Sequence, residues 1–183
     1  MSSAPVFFSD GRQTLFEATF AGYFAWCGMR IIVMGDGQAV VALTPRAEML
    51  TPESTMRSNR DGLIVESRSA CLNQSLSSPI SLIQSDRERL CGTLNGGVVN
   101  VLVEHPTYLA LLTLLTETEF PMTSDVFIQH MRPLPGDAEY RLHSKVIRRG
   151  KSMAWVNTDV FANDVLVSTA RITKTILPGK PAR

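Results

Sequence analysis

The hydrophobic and polar positions of this 183-residue chain divide it into two patterned stretches separated by an unpatterned one. Near the start, Leu15, Phe16, Phe20, Tyr23, Phe24 and Cys27 recur at helical spacing. Asp10 with Gln13 three residues on has the spacing of a helix start, and Gly28 offers a stop. Two short β-like runs follow, 29–34 and 38–43, separated by Gly35-Asp36-Gly37, which is a hairpin signal. In the second half, 92–116 reads as a turn and then a long helix beginning around Asn95-Gly96. That helix is apolar on most sides, so it must be wrapped by other structure. Four β-like segments come after it, 123–131, 138–148, 153–161 and 165–177, joined by turns at 133–137, 149–152 and 162–164. Short turns between successive strands imply an antiparallel meander, and a buried helix with a meander curled around it is an α+β architecture.

The unpatterned stretch is 44–88. Pro45, Pro52 and Pro79, seven serines from Ser67 to Ser85, and mixed charges predict a long irregular segment, with Leu63-Ile64-Val65 as a short strand inside it. Such a length of loop is unusual in one domain and often carries function, here as a surface loop or as a lid. The whole chain, 1–183, is expected to form a single domain, and no internal repeat is present.

Composition changes this picture in three ways. Hydrophobic residues make up 44% and charged residues 19%, enough for a full core. Eighteen basic against seventeen acidic residues leave a formal charge of +1, which argues against nucleic acid and against a polybasic membrane contact. Cys27, Cys71 and Cys91 are an odd number without CxxC spacing or clustered histidines, so neither a disulfide framework nor a structural metal is expected, and the cytoplasm is the simplest compartment. The N-terminus lacks the features of a secretory signal, and 98–115 is too polar to span a bilayer. No Lys or Arg occurs between Arg89 and Arg132, a span that contains the buried helix.

The chemistry concentrates in that span. Gly96-Gly97 at a helix start lets a ligand approach backbone N–H groups that have no helical partner, backed by the positive end of the helix dipole. Such donors suit a developing oxyanion. Glu104, eight residues on, is a carboxylate on an otherwise apolar helix, suited to act as a general base or nucleophile. Taken alone, Asn95-Gly96-Gly97 also reads as a simple cap, Glu104 as a structural carboxylate paired with His105 or Arg89, and 148–151 as an ordinary solvated turn.

Gly92-Thr93-Leu94-Asn95-Gly96-Gly97 followed by Glu104, then the 125–133 segment ending in Arg132-Pro133, then Arg148-Arg149-Gly150-Lys151, resembles in order and spacing the hotdog-fold thioesterases of the PaaI-like branch, which hydrolyse acyl-coenzyme A. The resemblance covers 10–43 and 89–177. It implies a hotdog fold with an additional N-terminal helix and an atypical segment at 44–88. Glu104 matches the catalytic acid, and Gly96 the glycine whose amide polarises the thioester carbonyl. Asn95 stands where the family usually has His and is expected among the catalytic groups, since a side-chain amide can still donate a hydrogen bond, and Arg89 stands where many members have Asn or Gln. Thr123 matches a residue that orients water from the neighbouring subunit. Arg148, Arg149 and Lys151 fall where members contact the coenzyme A phosphates. The resemblance further implies a homodimer or homotetramer, acyl-CoA as the partner molecule, and no cofactor beyond coenzyme A in the substrate. Two alternatives are a non-catalytic acyl or coenzyme A binding module and an acyl-CoA hydratase using His105. Pro106 inside the helix predicts a kink beside Glu104, and the absence of nearby Lys and Arg predicts a carboxylate without a basic partner.

Overall fold

In the computed structural model, the residues described are 22–51 and 92–178, together with the backbone of 54–59 and 62–67. Residues 22–26 are helical (α1) and lead through Gly28 into β1 (Met29–Gly35) and β2 (Gln38–Leu43). The beginning of the expected N-terminal helix, with Asp10 and Gln13, lies outside the described residues, as do Cys71, Cys91 and Arg89. A 3-10 turn (Ala47–Met49) precedes β3 (Leu50–Thr51), β4 (Ser54–Asn59) and β5 (Gly62–Ser67). The stretch expected to be irregular thus holds three short strands in its first half; β5 contains the predicted Leu63-Ile64-Val65, and 68–88 lies outside the described residues. After β6 (Thr93–Leu94) come helices α2 (Gly96–Leu102) and α3 (Glu104–Leu112), then β7 (Glu119–His130), β8 (Tyr140–Arg149), β9 (Met153–Ala162) and β10 (Val165–Pro178).

Six strands form one antiparallel sheet in the order β1-β2-β8-β9-β10-β7. Its two-residue turns follow from backbone chemistry. Asp36-Gly37 and Asn163-Asp164 both have positive φ at each position, the geometry that matches the right-handed twist of a hairpin, and Asp, Asn and Gly tolerate it best. The strands of the meander alternate along most of their length: β8 buries Tyr140, Leu142 and Ser144, β9 buries Ala154, Val156, Thr158 and Val160, and β10 buries Ala170, Ile172, Lys174 and Ile176. These inner positions close over the helix, whose Leu109, Ala110 and Leu111 are wholly buried. A helix apolar all round is stable only when covered in this way. It packs against β2, β8 and β9 in the middle of the sheet.

The central helix is broken at Val103, as Pro106 predicts. Proline has no N–H to give the carbonyl four residues back; His105 Nδ1 lies 3.4 Å from that Leu102 oxygen instead. Thr107 adds to the bend by donating its hydroxyl to Val103 O at 2.8 Å. The same hydroxyl meets Thr158 Oγ1 at 2.9 Å, and Thr158 meets Ser144 at 2.6 Å, a buried chain that fastens the break to β9 and β8. The break makes Glu104 the first residue of α3 rather than a position within one continuous helix.

Candidate active site

Two clusters of polar groups flank the broken helix, one at the head of each half. At the head of α2, Asn95 is the N-cap. Its Oδ1 accepts from Gly97 N–H at 2.8 Å and Val98 N–H at 3.3 Å, and its Nδ2 donates to Thr51 Oγ1 at 3.2 Å. Both ends of the Asn95 side chain are therefore occupied, and it acts here by holding the first turn. Gly92 sets the approach to this cap with a φ of 134°, and a Cβ there would lie 2.4 Å from Thr51 O. The adjacent Leu94 donates its N–H to Leu134 O at 2.7 Å. The Gly96 N–H has no acceptor among the described residues. A Cβ on Gly96 would lie 3.0 Å from His130 Nε2, so glycine is what lets β7 come this close. His130 is held in turn through Nδ1, 2.8 Å from Ser168 Oγ.

At the head of α3, Glu104 Oε2 accepts from Thr123 Oγ1 at 2.9 Å and is ion-paired with Lys174 Nζ. Lys174 also donates to Thr123 Oγ1 at 2.6 Å. This corrects one expectation: Glu104 does have a basic partner, which reaches it from β10. Thr123 touches the Glu104 of its own chain.

Register explains the meeting. On β10 the inward stripe runs Ser168, Ala170, Ile172, Lys174, Ile176; opposite it on β7 stand His130, Ile128, Val126, Thr123 and Pro121. The inward positions of β7 change from even to odd numbers because a bulge interrupts the pairing between Thr173 and Lys174. The extra residue reverses the phase of the strand and turns Thr123 toward the helix.

These groups border a cavity of about 210 Å³ whose other walls are Phe24, His105, Tyr108, Phe120 and Pro121. His105 stacks on Tyr23 with ring centres 4.9 Å apart and meets the edge of Phe24 at 5.3 Å. Burial lowers its pKa, against the opposing pull of the Leu102 and Val101 carbonyls and Glu104. It is a packed imidazole that favours its neutral form. Burial likewise raises the Tyr108 hydroxyl.

The predicted basic turn lies at the same end of the sheet. Arg149 is ion-paired with Glu119 at the start of β7, and the Thr116 N–H together with this arginine holds the Glu119 carboxyl below the usual range. Arg148 lies 6.0 Å over the Trp155 ring, and Lys151 is exposed. Ser152 O accepts from Ile176 N–H at 2.8 Å, two residues from Lys174. Among the described residues there is no group of three or more His, Cys, Asp or Glu able to hold a metal, and no helix long and apolar enough to cross a membrane. Cys27 is a free, buried thiol. Sequence reasoning missed Lys174 and His130. The signal for Lys174 was available: it is a lone charge in the inward stripe Ala170, Ile172, Ile176.

An antiparallel sheet wrapped around a central helix is the hotdog fold. Residues 91–169, which include both heads, match the family model for the thioesterase superfamily, so the resemblance read from the sequence is borne out. Among solved structures, the chain is similar to a thioesterase of Haemophilus influenzae (TM-score 0.64, 14% identity, 98% of this chain and 96% of that one). It is similar to the PaaI protein of the E. coli phenylacetic acid degradation operon (TM-score 0.63, 16% identity, 92% of each chain). A conserved protein of Pseudomonas aeruginosa also aligns (TM-score 0.60, 20% identity, 88% of this chain and 98% of that one). No curated protein matches at the level of sequence.

Proposed function

We propose that the protein hydrolyses acyl-CoA thioesters, at a site completed by two copies of the chain. The observation that carries this reading is Glu104, held through one oxygen by Thr123 and Lys174 at the edge of an apolar cavity, within the segment that matches the thioesterase family. In this reading Glu104 takes a proton from water, and the resulting hydroxide attacks the thioester carbonyl carbon. The carbonyl oxygen gathers negative charge against a Gly96 N–H. Collapse of the tetrahedral intermediate breaks the C–S bond, releasing the carboxylic acid and the coenzyme A thiolate, which takes up a proton. The cavity beside Glu104 takes the acyl group, and Arg148, Arg149 and Lys151 face the phosphates. The free thiol of Cys27 suits a reducing cytosol.

Distance supports the second copy. Gly96 and Glu104 head different halves of the broken helix, eight residues apart along the chain. Their contacts on β7, His130 and Thr123, lie about 20 Å apart along the strand. β7 is one of the two edge strands of the sheet and exposes Phe120, Met122 and Phe127. Pairing it with a second β7 about a two-fold axis near Val126 and Phe127 sets Thr123 opposite the partner's His130. Glu104 of one copy then approaches the Gly96 amide of the other.

The test is hydrolysis of a panel of acyl-CoAs by the wild type and by Glu104→Gln, with sizing at micromolar concentration. Turnover that falls roughly 100-fold or more in the variant, from a dimeric or larger protein, is the expected result. Saturable acyl-CoA binding without turnover would assign the protein to the non-catalytic alternative, and a monomer active on its own would overturn the shared site.

A further inference from the structure

Lys174 is the residue of this site that neither the helix nor the glycine turn accounts for. Its side chain is 4% exposed, and it stands at an inward position of β10 that apolar residues fill on either side. A cation this buried is expensive unless its charge is matched and its hydrogens are used. Here two are used: one on Glu104 Oε2, the other on Thr123 Oγ1. Thr123 passes its own hydrogen to the same Oε2, so the three groups close a ring on one oxygen of the carboxylate. Glu104 Oε1 accepts from none of the described residues. The side chain, 25% exposed, reaches the cavity.

We propose that Lys174 is a positioning residue for Glu104, fixing the carboxylate through Oε2 and so presenting Oε1 as the oxygen that takes the proton from water. This rests on the hydrolytic reading above and deepens it. The ring explains the bulge in β7, since Thr123 completes it only with the phase reversal that the bulge supplies. The other titratable groups at Glu104 are His105 and Tyr108 from its own helix, and Tyr23 of α1 stacks on the far side of His105. A carboxylate without this anchor is free to rotate, and a catalytic group misplaced by an ångström costs on the order of 100-fold in rate.

The test compares kcat, KM and thermal melting of the wild type, Lys174→Met, Lys174→Arg and Lys174→Ala, the last with and without added propylamine. Lys174→Met is expected to lose roughly 100-fold in kcat per folded molecule with KM within about threefold. Lys174→Arg restores part of the loss, and propylamine raises the turnover of Lys174→Ala in a saturable way without affecting the wild type. If Lys174→Met does not fold, the alanine variant decides. Turnover that returns with the amine supports the proposal, whereas melting temperature that returns without turnover overturns it. The proposal also fails if folded Lys174→Met turns over within about threefold of the wild type. A wild type inactive on every acyl-CoA, or a Glu104→Gln variant as active as the wild type, sinks the hydrolytic reading instead. Loss on Glu104→Gln with full activity in Lys174→Met sinks only the role of the lysine.

Discussion

The two heads of the broken helix are built in opposite ways. The α2 head is mostly local: Asn95, Gly96, Gly97 and Val98 are consecutive, and the cap's bonds to the first turn span two or three residues, with one longer tie from Asn95 to Thr51. The α3 head is assembled from afar, since Glu104 meets Thr123 across 19 residues and Lys174 across 70. The local head offers backbone donors, whose direction is set once the helix starts. The distant head offers charge in a buried place, which is stable only where separate strands deliver its partners. A backbone amide needs little more than a glycine and a cap, whereas an oriented carboxylate needs a sheet.

The comparison breaks most sharply if the two heads act on one substrate within a single chain. Glu104→Gln and Gly96→Val, each nearly inactive alone, are expected on co-expression to recover about a quarter of wild-type activity, because a two-fold dimer of one each keeps one site intact and half the dimers are mixed. Recovery that never exceeds the sum of the separate variants would place both heads in one protomer.

Stability gives the next contrast. Glu104→Ala leaves the Lys174 ammonium buried and unmatched, with an expected cost of about 3 kcal/mol in chemical denaturation, largely regained in the double variant Glu104→Ala/Lys174→Met. Equal stability of single and double variants would show that water reaches the lysine. At the other head, Asn95→Ala removes the cap and is expected to cost about 1 kcal/mol, a fall of roughly 2–4 °C in Tm. A loss as large as that from Glu104→Ala would mean the cap also anchors Thr51 and β3.

The smallest expected effect is a dependence on pH. Burial lowers the folded-state pKa of His105, so the unfolded chain binds its proton more readily than the folded one. Stability from this group is complete above the unfolded value of about 6.5 and declines as pH falls below it toward the folded value. His105→Phe, which keeps the stacking with Tyr23, should flatten denaturation midpoints across that window. A slope unchanged by the substitution would assign it to other groups.

Much of the fold was legible because its signals are local. The hairpin turns announce themselves as Asp36-Gly37 and Asn163-Asp164, and Pro106 marks the break three residues downstream of Val103. The meander was readable strand by strand to within a few residues; β7 alone begins earlier than expected, at Glu119, because Pro121 in the edge strand hid its first turn of alternation. The site was half legible. Gly96 and Glu104 follow from spacing and resemblance, but the cation-free span around Glu104 misled, since distance along the chain says nothing about which strand crosses the helix.

The sequence by itself determined the hairpins, the strands of the meander, the cap at Asn95 and the kink, because each depends on neighbours within a few residues. Only the tertiary structure decided that Lys174 and Thr123 close on Glu104 and that His130 lies against Gly96. Those meetings depend on strand order and on one bulge in β7, and register across a sheet is settled by the packing of the whole inner face.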